Sequence, residues 1–318
     1  MTTDGLDGRT RHYGEFYGLG APQSDDDQRS DDRPTLVVWG NCQAEALRVV
    51  LSGSPDLPYR TVRVPPVHEL EESELPHIER VLSRAGVILT QPIRSGYRGL
   101  PIGTTDISEA APHATTLVWP VIRYGGLYPF QLIVRHPSKP SAVPAVVPYH
   151  DLRTILAWKH QRLDPSDWDI EVDPAHLVAA ARWSIDELAR RERRDTDISV
   201  SDVLLEIGVG AAHTINHPGN EVLMALGGRI ADALGVAAPV PPDRELLGNV
   251  RAPRERRVLD ALGADPAYER ASWLLDGEEV TQEHVRAVQM HWYADNPEFV
   301  DAALTRYAPL MDILGIRQ

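Results

Sequence analysis

The sequence of 318 residues has one cysteine and two lysines, and it lacks an uncharged apolar run of about 18 residues. Without such a run, no membrane span is expected. A single cysteine excludes an internal disulfide and a cysteine-rich zinc site, and it favours a reducing, cytoplasmic setting. Because Lys139 and Lys159 are the only lysines, Schiff-base chemistry has few candidate residues. The polar first thirty residues contain no apolar segment, so no secretory signal is predicted.

Basic residues are also few. The chain has 32 lysines and arginines and 46 acidic residues, which gives a formal net charge of −14. Nucleic-acid binders neutralise phosphates with basic surfaces, so this balance argues against a nucleic-acid partner. It argues equally against attachment to an anionic lipid surface. Hydrophobic residues make up 42% of the chain, which is enough for a folded core and excludes disorder throughout.

Residues 1–33 are predicted to form a disordered acidic tail. The stretch APQSDDDQRSDDR has no hydrophobic period and holds five aspartates within eight positions. Such a composition is typical of a solvated, flexible leader, and an acidic docking arm is the alternative. The folded chain is therefore predicted to begin at residue 34.

Between residues 34 and 150, short apolar runs alternate with helical patterns, which predicts an α/β subdomain with a small parallel, doubly wound sheet. The run LVVW before Gly40 is typical of a strand buried on both faces. Apolar residues then recur at helical spacing, so Gly40, Asn41 and Cys42 form a predicted turn from strand to helix. The predicted strands are 36–39, 59–64, 86–90 and 114–119, and the predicted helices are 43–51 and 68–85.

After residue 150 the strand patterns fade, and residues 151–318 are predicted to be a helical region packed on the α/β subdomain. Gly227 and Gly228 would weaken one helix by about 1 kcal/mol each unless close packing requires glycine. The fold class is therefore α/β, with the sheet in the N-terminal half and helices dominating the C-terminal half. The predicted helices are 151–161, 174–194, 198–207, 221–235, 254–263 and 281–306.

Cys42 is the candidate nucleophile. Open parallel sheets bind ligands at the carboxyl ends of their strands, and Cys42 follows the first predicted strand at the start of a helix. Backbone N–H groups and the helix dipole at that position are expected to lower the pKa of a thiol and to receive an oxyanion. The alternative is a cysteine that serves only as a small buried hydrophobic residue.

Histidines supply the candidate bases. His150 lies at a predicted junction of loop and helix, and His213 and His217 lie in HTINHPGN, a predicted loop between helices. The spacing of His213 and His217 would suit zinc on a helix, but Pro218 disfavours a helical conformation at His217, so no metal is predicted. Asn220 is predicted to cap the next helix. Each histidine has a structural role as its alternative.

Polar residues also follow two later predicted strands. Gln91, Arg94 and Arg98 come after the strand at 86–90, and Arg123 and Tyr124 come after the strand at 114–119. In a parallel sheet these residues should lie near Cys42. Because arginine binds phosphate with two parallel hydrogen bonds, the three arginines are candidates to hold a phosphorylated cofactor, with solvated surface charge as the alternative.

Several motifs together resemble the WcbI family of capsular-polysaccharide biosynthesis enzymes. They are WGNCQAEAL at 39–47, ILTQPIRSGYRGL at 88–100, YGGLYP at 124–129, PYHD at 148–151 and HTINHPGN at 213–220. The resemblance covers about residues 35–235. It implies a mostly helical fold around a small α/β subdomain, coenzyme A binding and O-acetylation of a sugar. It also places Cys42 in the catalytic role, with Asn41 and Gln43 beside it.

We therefore predict a cysteine-dependent acyltransferase that moves an acyl group from a coenzyme A or carrier-protein thioester to a hydroxyl or amine. Cys42 attacks the thioester, and His217, ahead of His150, acts as base. In a variant, the histidine activates the acceptor directly and Cys42 only lines the thioester site. The residues predicted to position the oxyanion or substrate are Asn41, Gln43, Gln91 and Asn216, and those predicted to bind cofactor are Arg94, Arg98, Arg123 and Tyr124.

Two other functions use the same residues. A thioesterase or esterase would transfer the acyl group to water, and a non-catalytic protein would only bind coenzyme A or carbohydrate. The predicted acceptor is a saccharide or another small molecule such as a natural-product intermediate. An acyl carrier protein is a further possible partner, although two acidic surfaces repel each other unless arginines form a docking patch.

Overall fold

The computed structural model describes residues 7–19, 32–162, 164 and 167–317. By contacts, the chain divides into two compact units, each assembled from three segments. The first unit draws on Met1–Val121, Ala189–Val203 and Asn220–Leu246, and the second on Ile122–Leu188, Leu204–Gly219 and Leu247–Gln318. These units do not follow the division at residue 150 that the sequence predicts, because later segments return to the first unit.

The first unit is built on a parallel sheet of four strands. Strand β1 lies in the interior, β2 pairs with one of its edges, β3 pairs with the other, and β4 extends the sheet beyond β3. Every residue of β1 is buried, as the uninterrupted apolar run predicts. The strands are β1 Thr35–Trp39, β2 Arg60–Thr61, β3 Ala85–Thr90 and β4 Thr115–Val118. The predicted parallel sheet is confirmed.

Helices of the first unit surround this sheet. Helix α8 (Asn220–Leu234) packs closely against α2 (Cys42–Ser52). A Cβ added to Gly227 would lie 2.7 Å from Cγ1 of Val50. A glycine is therefore required at 227, whereas a Cβ at Gly228 would meet no atom within 4 Å. The helices are α1 Gly8–His12, α2 Cys42–Ser52, α3 Leu75–Leu82, α4 Thr104–Ala110 and α8 Asn220–Leu234.

Residues 7–19 form ordered structure, so the prediction of a disordered tail over 1–33 is wrong for this segment. The side chain of Phe16 is completely buried in the same core as Val37 and Trp39 of β1. The guanidinium of Arg80 donates to the carbonyl of Phe16 and fixes the backbone there. One aromatic anchor and polar contacts thus order a segment that lacks a hydrophobic period. The aspartate-rich stretch at 25–31 lies outside the described residues.

The second unit is mainly helical, in agreement with the prediction. Its core is apolar, with Leu152, Phe299 and Val300 among the completely buried side chains. Helix α6 is shared, because its residues from Ala189 onward belong to the first unit. The helices are α5 Leu152–Lys159, α6 Pro174–Asp195, α7 Leu204–Ile207, α9 Arg256–Ala261, α10 Gln282–Asp295 and α11 Pro297–Ile313.

Short strands also occur after residue 150, where the sequence shows no strand pattern. HTINHPGN, a predicted loop, forms an antiparallel hairpin, and the predicted helix over 281–306 is two helices divided at Asn296 because Pro297 begins the second. Two-residue and three-residue strands are too short to show alternation. The remaining strands, of which β5 precedes residue 150 and β6 begins there, are β5 Gln131–Leu132, β6 His150–Asp151, β7 Ala212–Thr214, β8 His217–Pro218, β9 Val250–Arg251, β10 Trp273–Leu275 and β11 Glu278–Val280.

None of the helices in the described ranges is both long enough and apolar enough to traverse a lipid bilayer. Within the same ranges, no group of three or more histidine, cysteine, aspartate or glutamate side chains is arranged to hold a metal ion.

Candidate cysteine site

Cys42 lies at the point where the order of the sheet reverses. The connection from β1 leads to β2 on one side, and the next crossover places β3 on the other side. At such a point the loops that follow two adjacent strands diverge and leave a crevice at their carboxyl ends. Cys42 follows β1 and Gln91 follows β3, so both residues border this crevice.

The turn before Cys42 is shaped by Asn41, which is the N-cap of α2. Its backbone is extended (φ −80°, ψ −162°), and its side-chain Oδ1 accepts a hydrogen bond of 2.9 Å from the N–H of Gln43. Asparagine is among the preferred N-cap residues because it satisfies an N–H that has no partner within the helix. The cap makes Cys42 the first residue of α2.

Gln91 holds the same turn from the neighbouring strand. Its side-chain Oε1 accepts from the backbone N–H of Asn41 at 2.9 Å, and its Nε2 donates to Oε1 of Gln43 at 3.1 Å. Gly40 makes room for this amide, because a Cβ at Gly40 would lie 2.6 Å from Oε1 of Gln91. The glycine of the GNCQ motif therefore serves the hydrogen bonds that fix the turn.

Gln43 and Gln91 are sealed from solvent, with 0% and 2% of their surfaces exposed. Their amides bond to each other, and the N–H of Asn41 is taken by Gln91. The prediction that these three residues contact an oxyanion or substrate therefore finds no support in their hydrogen bonds. They position the turn that carries Cys42.

Replacing Gln91 with leucine should lower the free energy of unfolding by about 2–3 kcal/mol, because it removes the hydrogen-bond acceptor of the Asn41 N–H and one hydrogen bond of the buried Gln43 amide. Urea unfolding followed by tryptophan fluorescence measures the change. The Gln282→Leu variant is the control: it removes one hydrogen bond, to the carbonyl of Ala271, and should cost less than about 1 kcal/mol. Equal losses in the two variants would contradict this description of the turn.

Cys42 is partly exposed, which suits a nucleophile. Its pKa is nevertheless raised above the ordinary value of 9.0, so the prediction of a lowered thiol pKa is wrong. Burial is the largest cause, and the carboxylate of Glu69 adds to it. Hydrogen bonds from the backbone N–H groups of Cys42 and Gln43 act in the opposite direction. The helix terminus stabilises the thiolate, but desolvation outweighs it.

The raised pKa predicts a specific pH dependence for thiol alkylation. At pH 7 the thiolate should be less than about 1% of the population, and its share should rise tenfold for each pH unit up to pH 9. Because the chain has one cysteine, iodoacetamide labelling followed by intact mass reports on Cys42 alone. The chain unfolded in urea is the control and should reach its plateau at lower pH. A plateau below pH 8 in the folded protein would contradict the raised pKa.

Arg94 and Arg98 lie in the loop after β3, and both are exposed. The guanidinium of Arg98 donates to the carbonyl of His68, in the loop that follows β2. Arg94 and Arg98 therefore supply positive charge on the same side of the sheet as Cys42. Asn41, Cys42, Gln43 and Gln91 are brought together in the first unit, with these two arginines following on the β3 loop.

His150 is placed differently from its predicted role. Its ring is 1% exposed, lies 4.2 Å from the ring centre of Phe299, and has Nδ1 2.9 Å from the hydroxyl of Tyr293. Burial lowers the pKa of His150 to about 3. A base must reach its substrate, and this ring is enclosed by aromatic side chains. Its surroundings indicate a structural histidine.

The HTINHPGN hairpin places His217 and Asn216 beside Tyr149. The hydroxyl of Tyr149 donates to Oδ1 of Asn216 at 2.8 Å and lies 2.9 Å from Oγ1 of Thr214. The rings of Tyr149 and His217 meet edge to face at 6.5 Å. Tyr149, which sequence reasoning did not select as a site residue, thus organises the hairpin.

The pKa of His217 is lowered to about 4. Burial is the largest cause and the neighbouring His213 adds to it, whereas a hydrogen bond with the backbone of Leu247 raises the pKa. His217 is therefore neutral at pH 7, which is the form that can accept a proton.

Arg123 and Tyr124 lie in the second unit, so the structure does not group them with Arg94 and Arg98. Tyr124 is 2% exposed, and burial raises its pKa to about 12. Its N–H donates to the carbonyl of Ile215 at 2.8 Å, which ties it to the hairpin. A buried ring with this backbone bond indicates a structural residue. Arg123 is half-buried, and burial and two nearby arginines lower its pKa.

Asn220 and a small cleft in the second unit bear on two of the predictions. Asn220 is the first residue of α8, and its side chain bonds to the backbone of Arg244 and Leu246. It therefore tethers the proline-rich connection in place of the predicted cap. A cleft beside His150 and Arg153 in the second unit has about 30 Å³ of open space. That volume admits water but no sugar ring, so the acceptor is not assigned to it.

Sequence reasoning missed two residues near the cysteine turn, Glu69 and Arg9. Glu69 acts electrostatically on Cys42, and Arg9 is ion-paired with Glu69. No local pattern identifies them, because Glu69 lies in an acidic stretch and Arg9 in the predicted tail. The aromatic cluster GEFYGL within that tail was the available signal of order.

The geometry defines a class of α/β protein in which a cysteine begins the helix after the first strand, at the switch point of a parallel sheet. A family model described as the polysaccharide biosynthesis enzyme WcbI matches residues 35–239. The chain belongs to the WcbI family of polysaccharide biosynthesis enzymes. This confirms the resemblance that the GNCQ, TQPIR and NHP motifs indicated.

A comparison with solved structures supports the fold. The chain is similar to a WcbI structure with a TM-score of 0.75 and 20% sequence identity, over 89% of this chain and 98% of that chain. That structure is described as a native polysaccharide biosynthesis enzyme without a disulfide bond between coenzyme A and one of its cysteines. At this identity the likeness shows the fold. A comparison with curated proteins gives no match.

Proposed function

We propose that the chain is an acyltransferase that moves an acyl group from a coenzyme A thioester to a hydroxyl of a saccharide, with Cys42 as nucleophile. The observation that carries the proposal is the thiol itself, partly exposed at the switch point and reached by the N–H groups of Cys42 and Gln43. A carrier-protein thioester is the same electrophile on another donor, and an acceptor amine would react in the same way.

The reaction takes two steps. A base removes the proton of Cys42, the sulfur attacks the thioester carbonyl, and collapse of the tetrahedral adduct breaks the bond to the coenzyme A sulfur, which takes up a proton. The acceptor hydroxyl then attacks the acyl-cysteine, loses its proton to the base, and releases the Cys42 thiol. The first step exchanges one thioester for another, so it is nearly balanced in free energy.

The raised pKa of Cys42 has two consequences for this chemistry. A thiol that stays protonated at neutral pH needs a base, and a thiolate of higher pKa is intrinsically more nucleophilic once it forms. The N–H of Cys42, which stabilises the thiolate, is also suited to an oxyanion on the attacked carbonyl, whereas the N–H of Gln43 is already bonded to Oδ1 of Asn41.

His217 is proposed as the base. Its low pKa keeps it neutral at pH 7 but makes it a weak base, and its hydrogen bond with the backbone of Leu247 fixes the ring. Asn216 is proposed to position the acceptor from the same hairpin. His150 is left out of the mechanism, since its ring is buried among Tyr293, Phe299 and other aromatic side chains.

The residues around Cys42 fit a thioester of coenzyme A. The thiol of Cys42 is partly exposed, so a thioester carbonyl can approach it. The exposed guanidinium groups of Arg94 and Arg98 carry positive charge that can bind phosphate groups. Arg123, in the second unit, is a further proposed contact for a phosphate. Coenzyme A supplies the activated acyl group, and the chain supplies the nucleophile, the base and the oxyanion donors.

Release of coenzyme A tests the proposal. Acetyl-CoA is mixed with the protein and a panel of mono- and disaccharides, and free thiol is followed over time. We expect one equivalent of coenzyme A without acceptor and continuous release with an accepted saccharide, whose mass increases by one acetyl group. Continuous release without acceptor would instead identify a hydrolase. Binding of coenzyme A without any release would identify a non-catalytic protein.

A further inference from the structure

The segment from Asp7 to Leu19 lies outside the region matched by the family, which begins at residue 35. It is nevertheless part of the first unit. Phe16 is completely buried, Arg80 donates to its carbonyl, and its ring lies 5.8 Å from the ring of His77. These contacts fix the segment independently of the polar contacts described next.

Arg9 extends from α1 and makes contacts with every nitrogen of its guanidinium. Nη1 lies 3.0 Å from Oε2 of Glu69, and Nη2 donates to the backbone carbonyl of Glu69 at 3.2 Å and to the carboxylate of Glu74 at 3.2 Å. Nε donates to the hydroxyl of Tyr17 at 3.0 Å. The guanidinium of Arg9 therefore binds both the carboxylate and the backbone carbonyl of Glu69.

Glu69 belongs to a loop, residues 65–71, that rests on the turn preceding Cys42. The N–H of Val67 donates to the carbonyl of Gly40 at 2.9 Å, and the N–H of Glu69 closes a turn to the carbonyl of Pro66 at 2.8 Å. The carboxylate of Glu69 acts on the Cys42 thiol. The loop therefore brings a negative charge to the one thiol of the chain.

We propose that Arg9 is a positioning residue of the cysteine site: its fork to Glu69 holds the 65–71 loop on the Cys42 turn and offsets the negative charge that Glu69 presents to the thiol. A cation is required there because an unpaired carboxylate opposes formation of a neighbouring thiolate. Arginine suits the place because its planar fork reaches a carboxylate and a carbonyl at once.

The expected change in the pKa of Cys42 is small because Arg9 and Glu69 are both partly exposed. The side chains of Arg9 and Glu69 are 37% and 42% exposed, so water and salt screen their charges. A change of about half a pKa unit in the thiol corresponds to a change on the order of threefold in its rate of alkylation. The other charged or titratable groups near this loop are His68, whose ring lies 3.9 Å from Glu69, Glu71 within the loop, Glu74, which Arg9 also contacts, and Arg98, which donates to the carbonyl of His68.

The test is the pH profile of Cys42 alkylation by iodoacetamide, measured in the full chain. In Arg9→Met we expect the profile to move to higher pH and the rate at pH 8 to fall on the order of threefold. Glu69→Gln should move the profile the opposite way by a similar amount. The double variant should follow Glu69→Gln, because Arg9 acts through Glu69. Arg9→Lys, which keeps the charge, should restore most of the wild-type profile.

Arg84→Met and Glu79→Gln are matched controls, since both side chains are exposed in the same unit. They should leave the profile unchanged. A uniform change in rate at every pH in Arg9→Met, without a shift of the profile, would overturn the proposal and indicate only a loosened loop. The inference rests on the proposed function solely in treating Cys42 as the nucleophile. Alkylation needs no acyl donor, so failure of acyl transfer and failure of this inference are separate results.

Discussion

Cys42→Ala is expected to reduce acceptor-dependent release of coenzyme A from acetyl-CoA on the order of 10³-fold or more. Without the sulfur no acyl-enzyme can form, and the remaining groups can only orient the thioester and the acceptor. The rate of free-thiol release at saturating acetyl-CoA measures the effect. A loss of this size in kcat, with little change in KM, would place the sulfur in the transition state.

The fold around Cys42 should be unchanged in Cys42→Ala. The cap that begins α2 belongs to Asn41 and Gln43, so it does not depend on the thiol, and the midpoint of urea unfolding should remain close to that of the wild type. The Ser83→Ala variant, at an exposed position remote in sequence, serves as a control for handling and should retain activity. Full activity in Cys42→Ala would contradict covalent catalysis and favour direct activation of the acceptor by a histidine.

Arg153→Met is expected to lower the free energy of unfolding by about 3–5 kcal/mol. Arg153 is only 3% exposed and forms ion pairs of 2.7, 2.9 and 2.7 Å with Asp151, Asp169 and Glu255. Methionine fills much of the same volume but carries no charge. Asp169 and Glu255 keep their ion pairs with Arg257, but Asp151 loses its ion pair to Arg153 beside an apolar side chain. Loss of a cation from a partly buried cluster of carboxylates is costly.

Aromatic contacts add to the effect at Arg153. Its guanidinium lies 4.2 Å from the ring centre of Phe130 and 4.1 Å from that of Trp168. Urea unfolding followed by tryptophan fluorescence measures the loss, and Lys159→Met is the control. Lys159 pairs with Asp301 at the surface, so its removal should cost less than about 1 kcal/mol. Similar losses in both variants would show that the Arg153 cluster contributes no more than a surface pair.

Local signals were sufficient to predict the sheet and the cysteine turn. An apolar run ending in glycine, followed by residues at helical spacing, predicted β1, the GNCQ turn and α2 at nearly their observed positions. The helices at 174–194 and 221–235 were also predicted within a few residues. These elements are long and periodic, so their sequences carry the pattern of their burial.

Tertiary contacts decided what the sequence could not predict. Phe16 orders the N-terminal segment by entering a core formed by residues far along the chain. The HTINHPGN hairpin is too short to alternate, and the hydroxyl of Tyr149 supports it from a distant segment. The pKa of Cys42 depends on the balance between burial and two N–H donors, and the amount of burial is known only from the fold.

The most direct measurement of the central claim is the intact mass of the protein after mixing with one equivalent of acetyl-CoA in the absence of acceptor. We expect an added acetyl group, located at Cys42 by peptide mapping, that is lost when a saccharide acceptor is added. In Cys42→Ser no acyl thioester can form, so the acetylated thiol should be absent. An active enzyme whose mass never changes during turnover would contradict this claim.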